Sequence, residues 1–189
     1  MTTRTEIRRH QLAFAAMLDD AGIALSDAER GAIEIADFGL GDFARQGLGL
    51  VVYANNDRYC AKELVMLPRQ TCPQHRHPPI RDGAGVVVDP GKRETFRCRM
   101  GEVCLYVDGP AAPHPRCPAP PGSADHYTVW NEVVLGPGEQ YTIEPGVWHW
   151  FQAGDAGAIV SEFSTTSRDE ADEFTDPAIT RAPPADESA

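Results

Sequence analysis

The chain of 189 residues can bury roughly two thirds of its unfolded surface in one domain, so it needs neither a metal nor a disulfide merely to fold. Its formal charge of −11 argues against nucleic acid as a partner, because phosphate backbones are held by Lys and Arg clusters that are missing here. Five cysteines without a CxxC pair predict reduced thiols in a cytosol, and the lack of any apolar run of signal-peptide or membrane-spanning length predicts a soluble cytoplasmic protein with no membrane partner.

Apolar residues from about Thr3 to Leu18 recur at mostly helical spacing among Arg, Glu and Gln, which predicts an amphipathic helix stopped near Gly22. Ser26 and Glu29 match a capping box, predicting a second short helix from Asp27 toward Ala36. From Gly47 to Thr166 the texture changes to short runs rich in Val, Ile, Tyr, Phe and Trp, punctuated by Gly, Pro, Asn and Asp. The reading is therefore mainly β, a sandwich or barrel over residues 41–181, preceded by a helical segment over 1–40 that packs on it. Six prolines between Gly109 and Ala124 supply too few backbone donors for a sheet interior and predict a long surface loop. Residues 182–189 have the composition of a frayed tail.

His75 and His77 are two apart, which on a strand puts both imidazoles on one face. A bare HxH is as often a surface pair as a ligand pair. Glu94, six residues short of Gly101, and His149, after Pro145-Gly146, complete a candidate metal set of His75, His77, Glu94 and His149. Three neutral imidazoles and one carboxylate would leave a dication with a net charge of about +1 and open positions, the composition of a reactive rather than a closed structural site. A second site from His114, Cys117 and His126 is the weaker alternative, and His10 falls on the first helix. Trp148 and Trp150 flank His149 and, by strand alternation, face the opposite side and serve as core.

These fragments resemble the two motifs of the cupin superfamily, HxH with E-x6-G and then PG-x2-H, over roughly Thr71 to Phe163. The glutamate stands farther from the second histidine than is usual in cupins, so residues 80–92 must form an inserted hairpin, expected to cover the metal at the barrel mouth. More specifically, KRETFRCRMGEVCLYVDG, EPGVWHWFQAGDAGAIVSEFST and FTDPAITR resemble the D-lyxose isomerase family of cupin sugar isomerases. That resemblance implies a cupin-like double-sheet barrel (jelly roll), a homodimer and a monosaccharide substrate. It implies interconversion of D-lyxose with D-xylulose, and often of D-mannose with D-fructose. The implied cofactor is a divalent metal, manganese first, with zinc, cobalt, iron or nickel as alternatives.

An aldose-ketose isomerase must move a proton between C1 and C2, and the costly species is an enediolate with charge on two adjacent oxygens, which a dication stabilises. Glu162, an acidic residue within the otherwise apolar and hydroxyl-rich run IVSEFST, is the candidate base, tuned for proton transfer by burial. Lys92, two residues before Glu94 and on the same face of an extended segment, is the candidate acid or electrostatic partner. The bland alternatives are an outward-facing edge-strand glutamate and a solvated loop lysine. Arg181 and Asp172 are candidates for substrate binding, with Arg181 alternatively pinning the C-terminal segment through Asp172 or Asp176. Two competing functions share the ligand set: an Fe(II)-dependent cupin dioxygenase, and a non-catalytic sugar-binding cupin.

Overall fold

The computed structural model describes residues 3–180. Helix α1 (Arg4–Asp20) opens on a complete capping box between Thr3 and Glu6, and α2 (Asp27–Gly31) on the one expected between Ser26 and Glu29. The second helix stops five residues earlier than the sequence suggested. After Gly31 the β-branched Ile33 and Ile35 join an extended segment, β1 (Glu34–Ala36), which pairs with β2 (Leu48–Asn55). Sheet pairing starts inside the segment assigned to helices. The remaining strands are β3 (Cys60–Met66), β4 (Thr71–Arg76), β5 (Ile80–Arg81), β6 (Val87–Asp89), β7 (Glu94–Val107), β8 (Asn131–Leu135), β9 (Gln140–Ile143), β10 (His149–Ser164) and β11 (Glu173–Phe174).

Two long antiparallel strands organise everything else. The second half of β10 (158–164) pairs with β3 on one side and the first half of β7 on the other, while its first half (149–153) pairs with β4 and the second half of β7. β9 extends the first layer and β8 the second, so both strands cross from one sheet to the other, as in a jelly roll. The crossing falls at the register shift between Ala153 and Ala158, opposite Gly101. Gly101 has φ of 74° and packs so closely on the Gly157 carbonyl that a Cβ would collide with it.

Three apolar layers follow from strand alternation. Leu48, Leu64, Phe96, Leu105, Phe151 and Val160 fill the interior between the sheets. Phe14, Ala15 and Leu18 of α1 cover Val51, Val65 and Ile159 on the outer face of one sheet. The proline-rich segment covers the outer face of the other, where Trp150 stacks on Tyr106 at 4.0 Å between ring centroids and donates Nε1–H to the Val129 carbonyl. Trp150 is thus core, as alternation predicts.

The same segment corrects the thiol expectation: Cys104 of β7 and Cys117 of the loop form a disulfide, while Cys60, Cys72 and Cys98 are buried thiols outside any disulfide. Their separation of 13 residues carries no local signature, because the pairing exists only once the loop folds back on β7. It also removes the alternative site of His114, Cys117 and His126, since the sulfur is bonded to Cys104 and the His126 ring faces Asp176 at 3.7 Å. The inserted hairpin is present as β5 and β6, but it projects outward with Val86, Val87 and Val88 exposed. The hairpin's base, Ile80 and Asp89, stands with His77, Lys92 and Asp172 around a smaller pocket beside the metal-bearing cavity, so its foot borders the site while its tip points away.

Candidate metal centre

β4 and β10 are neighbours with His75 opposite His149, and His77 follows at the end of β4, so alternation turns all three rings into the barrel. One ligand atom from each lies within 4.8 Å of the others. Glu94 opens β7 and approaches from the far side, its Oε1 standing 3.0 Å from His149 Nε2 and 3.4 Å from His77 Nε2. All four side chains are buried.

Hydrogen bonds on the outer nitrogens decide which atoms point inward. His75 Nδ1 donates to the Pro73 carbonyl at 2.8 Å, His149 Nδ1 to the Val147 carbonyl at 3.0 Å, and His77 Nδ1 to Asp172 Oδ1 at 2.5 Å. With Nδ1–H engaged, each Nε2 presents a lone pair to the centre. His77 Nε2, His149 Nε2 and Glu94 Oε1 are buried polar atoms with no hydrogen-bond partner among the described residues. Converging lone pairs beside a carboxylate are costly unless a cation satisfies them, so the donor set fits a divalent metal that takes nitrogen and oxygen ligands.

The electrostatics agree. Burial and its two neighbouring imidazoles hold the His75 ring well below the ordinary histidine range. Burial and Lys92 also disfavour a proton on His77, but Glu94 and the bond to Asp172 outweigh them and raise it. Burial opposes ionisation of Glu94, yet the Lys92 ammonium and His77 hold its carboxyl well below the carboxylate range. Glu94 is an anion at neutral pH, as a ligand must be.

Beyond the ligands lies a cavity whose apolar wall includes Phe38, Leu48, Leu50 and Phe151. Its polar wall carries both other residues of the proposed machinery. Lys92 Nζ sits 2.7 Å from Glu94 Oε2 and 3.1 Å from Glu162 Oε1. Burial works against the Lys92 proton, but Glu162 and Glu94 hold it well above the ordinary lysine range. Glu162 is buried, not an outward-facing strand residue, and also accepts a hydrogen bond from Ser164 Oγ at 3.2 Å. The structure therefore brings His75, His77, Lys92, Glu94, Glu162 and Asp172 to one cavity wall, with His149 beside Glu94.

Asp172 also lines this cavity, and its carboxylate accepts a hydrogen bond from the ligand imidazole of His77. Asp176 caps the Ala178 amide at 2.8 Å, and Arg181 lies outside the described residues, as does the 182–189 tail. Two residues absent from the sequence reading also line the cavity, Lys62 and Asp169. Only the HxH-type spacing of Lys62-Glu63-Leu64 hinted that Lys62 faces inward, and that signal is shared by every strand lysine.

Known proteins place this arrangement. By fold the chain is similar to the L-ribose isomerase of Acinetobacter sp. DL28 in complex with L-ribose (TM-score 0.75, 16% identity, 94% of each chain) and to that of Cellulomonas parahominis without ligand (TM-score 0.75, 16% identity, 93% of each chain). That likeness establishes the cupin-like barrel. The D-lyxose isomerase family matches residues 121–189. The chain is 55% identical over 183 residues to the D-lyxose/D-mannose isomerase of Thermosediminibacter oceani, covering 97% of this chain and 98% of that one. It is 58% identical over 179 residues to the D-lyxose ketol-isomerase of Cohnella laeviribosi, covering 95% of each. At that identity over nearly the whole length, with the ligand geometry its sequence motifs required, the chain belongs to the D-lyxose isomerase family.

Proposed function

We propose that the protein interconverts D-lyxose and D-xylulose, with D-mannose and D-fructose as a second pair, using a manganese ion held by His75, His77, His149 and Glu94. The observation that carries the reading is Glu162 Oε1 at 3.1 Å from an ammonium that itself touches the ligand Glu94, so a proton-accepting group stands one side chain away from the metal donors. When bound, the dication supplies Lewis-acid stabilisation of negative charge on two neighbouring oxygens. Glu162 removes the proton from C2 of the aldose and returns it to C1, while the hydroxyl proton of O2 passes to the neighbouring O1. Lys92, held as an ammonium, serves as the electrostatic partner rather than the acid, touching both Glu162 and Glu94 and facing a substrate oxygen. Phe38, Leu50 and Phe151 line the opposite wall and exclude water from the reacting carbons.

The buried Glu162–Lys92 pair favours this reading over the dioxygenase, since oxygen chemistry needs no such proton carrier. The relatives' names support it independently. The decisive test is Glu162→Gln. Metal content and sugar binding persist, turnover falls by roughly 10²–10⁴-fold, and wild type exchanges substrate hydrogen with heavy water. Near-normal turnover in Glu162→Gln refutes the assignment.

We also propose a homodimer and a cytoplasmic location. Tyr53 and Phe163, 44% and 52% exposed, flank Ala61 on a sheet face outside the cover of α1 and support self-association, which sedimentation tests. No helix among the described residues is long and apolar enough to cross a membrane. Three buried thiols outside any disulfide suit a reducing compartment, and the Cys104–Cys117 bond stands against it. Thiol titration of protein taken directly from cells decides.

A further inference from the structure

Glu162 has a second cation beside it. Lys62 lies directly opposite Glu162 in the register between β3 and β10, so both side chains leave the sheet on its inner face. Lys62 Nζ stands 3.6 Å from Glu162 Oε1 and 3.8 Å from Asp169 Oδ1, and it donates a hydrogen bond to Ser167 Oγ at 3.2 Å. Its side chain is 4% exposed. Burying an ammonium is costly without full pairing, and an ammonium has three N–H groups to satisfy. One goes to Ser167, while both carboxylates are beyond hydrogen-bond length, so two N–H groups await an acceptor.

The position of that demand is informative. Charged groups along the cavity wall alternate in sign, from Glu94 through Lys92, Glu162 and Lys62 to Asp169. The metal donors stand at one end of this row and Lys62 near the other. Lys92 already neutralises Glu162 and lies closer to it, so proton transfer leaves Lys62 without a task. The wall across the cavity is apolar, so Lys62, Ser167 and Asp169 form the polar destination at that end.

We propose that Lys62, with Ser167 and Asp169, binds the hydroxyl end of the sugar, chiefly the C5 oxygen, and so sets which chain ends the enzyme accepts. The inference rests on the isomerase reading, with C2 of the aldose beside Glu162. C2 and C5 are separated by three carbon–carbon bonds of about 1.5 Å each. The bond to the C5 oxygen brings the extended span to about 5 Å, more than the 3.6 Å between Glu162 and Lys62, so a chain with C2 at Glu162 can bring its terminal oxygen to the unsatisfied N–H groups.

The test compares D-lyxose with 5-deoxy-D-lyxose on the metal-loaded full chain, in wild type and in Lys62→Met, by steady-state kinetics and by calorimetric binding. In wild type, loss of the C5 oxygen lowers kcat/KM by about tenfold or more, mainly through KM, because buried donors are left unpaired. In Lys62→Met the two sugars become equal. Wild type that does not distinguish them, or a variant that weakens both by one common factor, overturns the proposal. The common-factor result would assign Lys62 to holding Glu162. If Lys62→Met melts out, Ser167→Ala makes the same comparison with a smaller change. Should wild type turn over neither sugar, the isomerase reading fails, and the calorimetric difference between the two sugars still decides for or against Lys62.

Discussion

Asp172→Asn separates a role in the metal centre from a role in sugar recognition. The side chain is 10% exposed, and Oδ1 accepts the His77 Nδ1 proton at 2.5 Å, which fixes the tautomer and raises the basicity of Nε2. Asparagine keeps the shape and an acceptor oxygen but loses the charge. Loss of such an outer partner costs about 10–100-fold in metal affinity, equivalent to about 1.4–2.8 kcal/mol. A hydrogen bond to a charged group is worth about 1.5–3 kcal/mol, so two independent routes give the same size. The assay is competition for manganese against a chelator of known affinity, on apo protein, with melting curves to confirm the fold. Asp169→Asn is the control: it removes a carboxylate from the same short segment, whose partners are Lys62 and Ser167 and not a ligand imidazole. The control retains wild-type metal affinity. Unchanged metal affinity in Asp172→Asn together with a raised KM for sugar refutes the argument and restores Asp172 as a substrate residue.

Three further outcomes follow from the fold. Burial holds the Glu63 carboxyl above the ordinary range while Ser161 Oγ donates to it at 2.8 Å; a raised folded pKa means the native state binds the extra proton, so its stability declines as pH rises through that pKa. Glu63→Gln therefore melts higher than wild type at pH 7, with the gain fading below the usual glutamate range, and scanning calorimetry from pH 4 to 8 that shows parallel curves would contradict this. Gly101→Ala forces a methyl into the Gly157 carbonyl at positive φ, costing more than the roughly 1–2 kcal/mol of a left-handed alanine and lowering the denaturation midpoint; an unchanged midpoint refutes the close packing. Reducing the Cys104–Cys117 bond, which closes a 13-residue separation, costs about 3 kcal/mol and raises the titratable thiols from three to five; constant stability on reduction would mean the loop is held by Tyr106 and Trp150 alone.

What was legible in the sequence is what short-range periodicity encodes. His75 and His77 share a face because strands repeat every two residues, Trp150 opposes His149 for the same reason, and both capping boxes are local. Helix α2 was overextended because helical composition continues past Gly31, while what ends it is the pairing of residues 34–36 with β2, 12 positions away at its closest. The hairpin's existence was forced by the spacing of Glu94, but its direction depends on packing that no spacing records. Asp172 on His77, Lys62 beside Glu162 and Cys117 on Cys104 are contacts between distant segments, decided by sheet register and loop return.

These distant contacts explain one another through charge. Around the cavity two ammoniums, Lys62 and Lys92, face four carboxylates, Glu94, Glu162, Asp169 and Asp172, which leaves two negative charges in excess with the three imidazoles neutral. A buried excess of that size is unfavourable, and one dication cancels it. At His77, Glu94 and the bond to Asp172 outweigh burial and Lys92 and raise the proton affinity, in keeping with that excess of carboxylates. A monovalent ion would leave the cluster negative, and a fifth carboxylate would leave it negative even with a dication. The same balance constrains substitution. Lys62→Met and Asp169→Asn each unbalance the wall by one charge, in opposite directions, whereas the double variant restores neutrality with the metal bound. The double variant should therefore melt above the lysine single variant, while still treating D-lyxose and 5-deoxy-D-lyxose alike. A double variant that melts no higher than Lys62→Met would show that the hydrogen bond to Ser167, and not the charge, is what the buried lysine contributes to the fold.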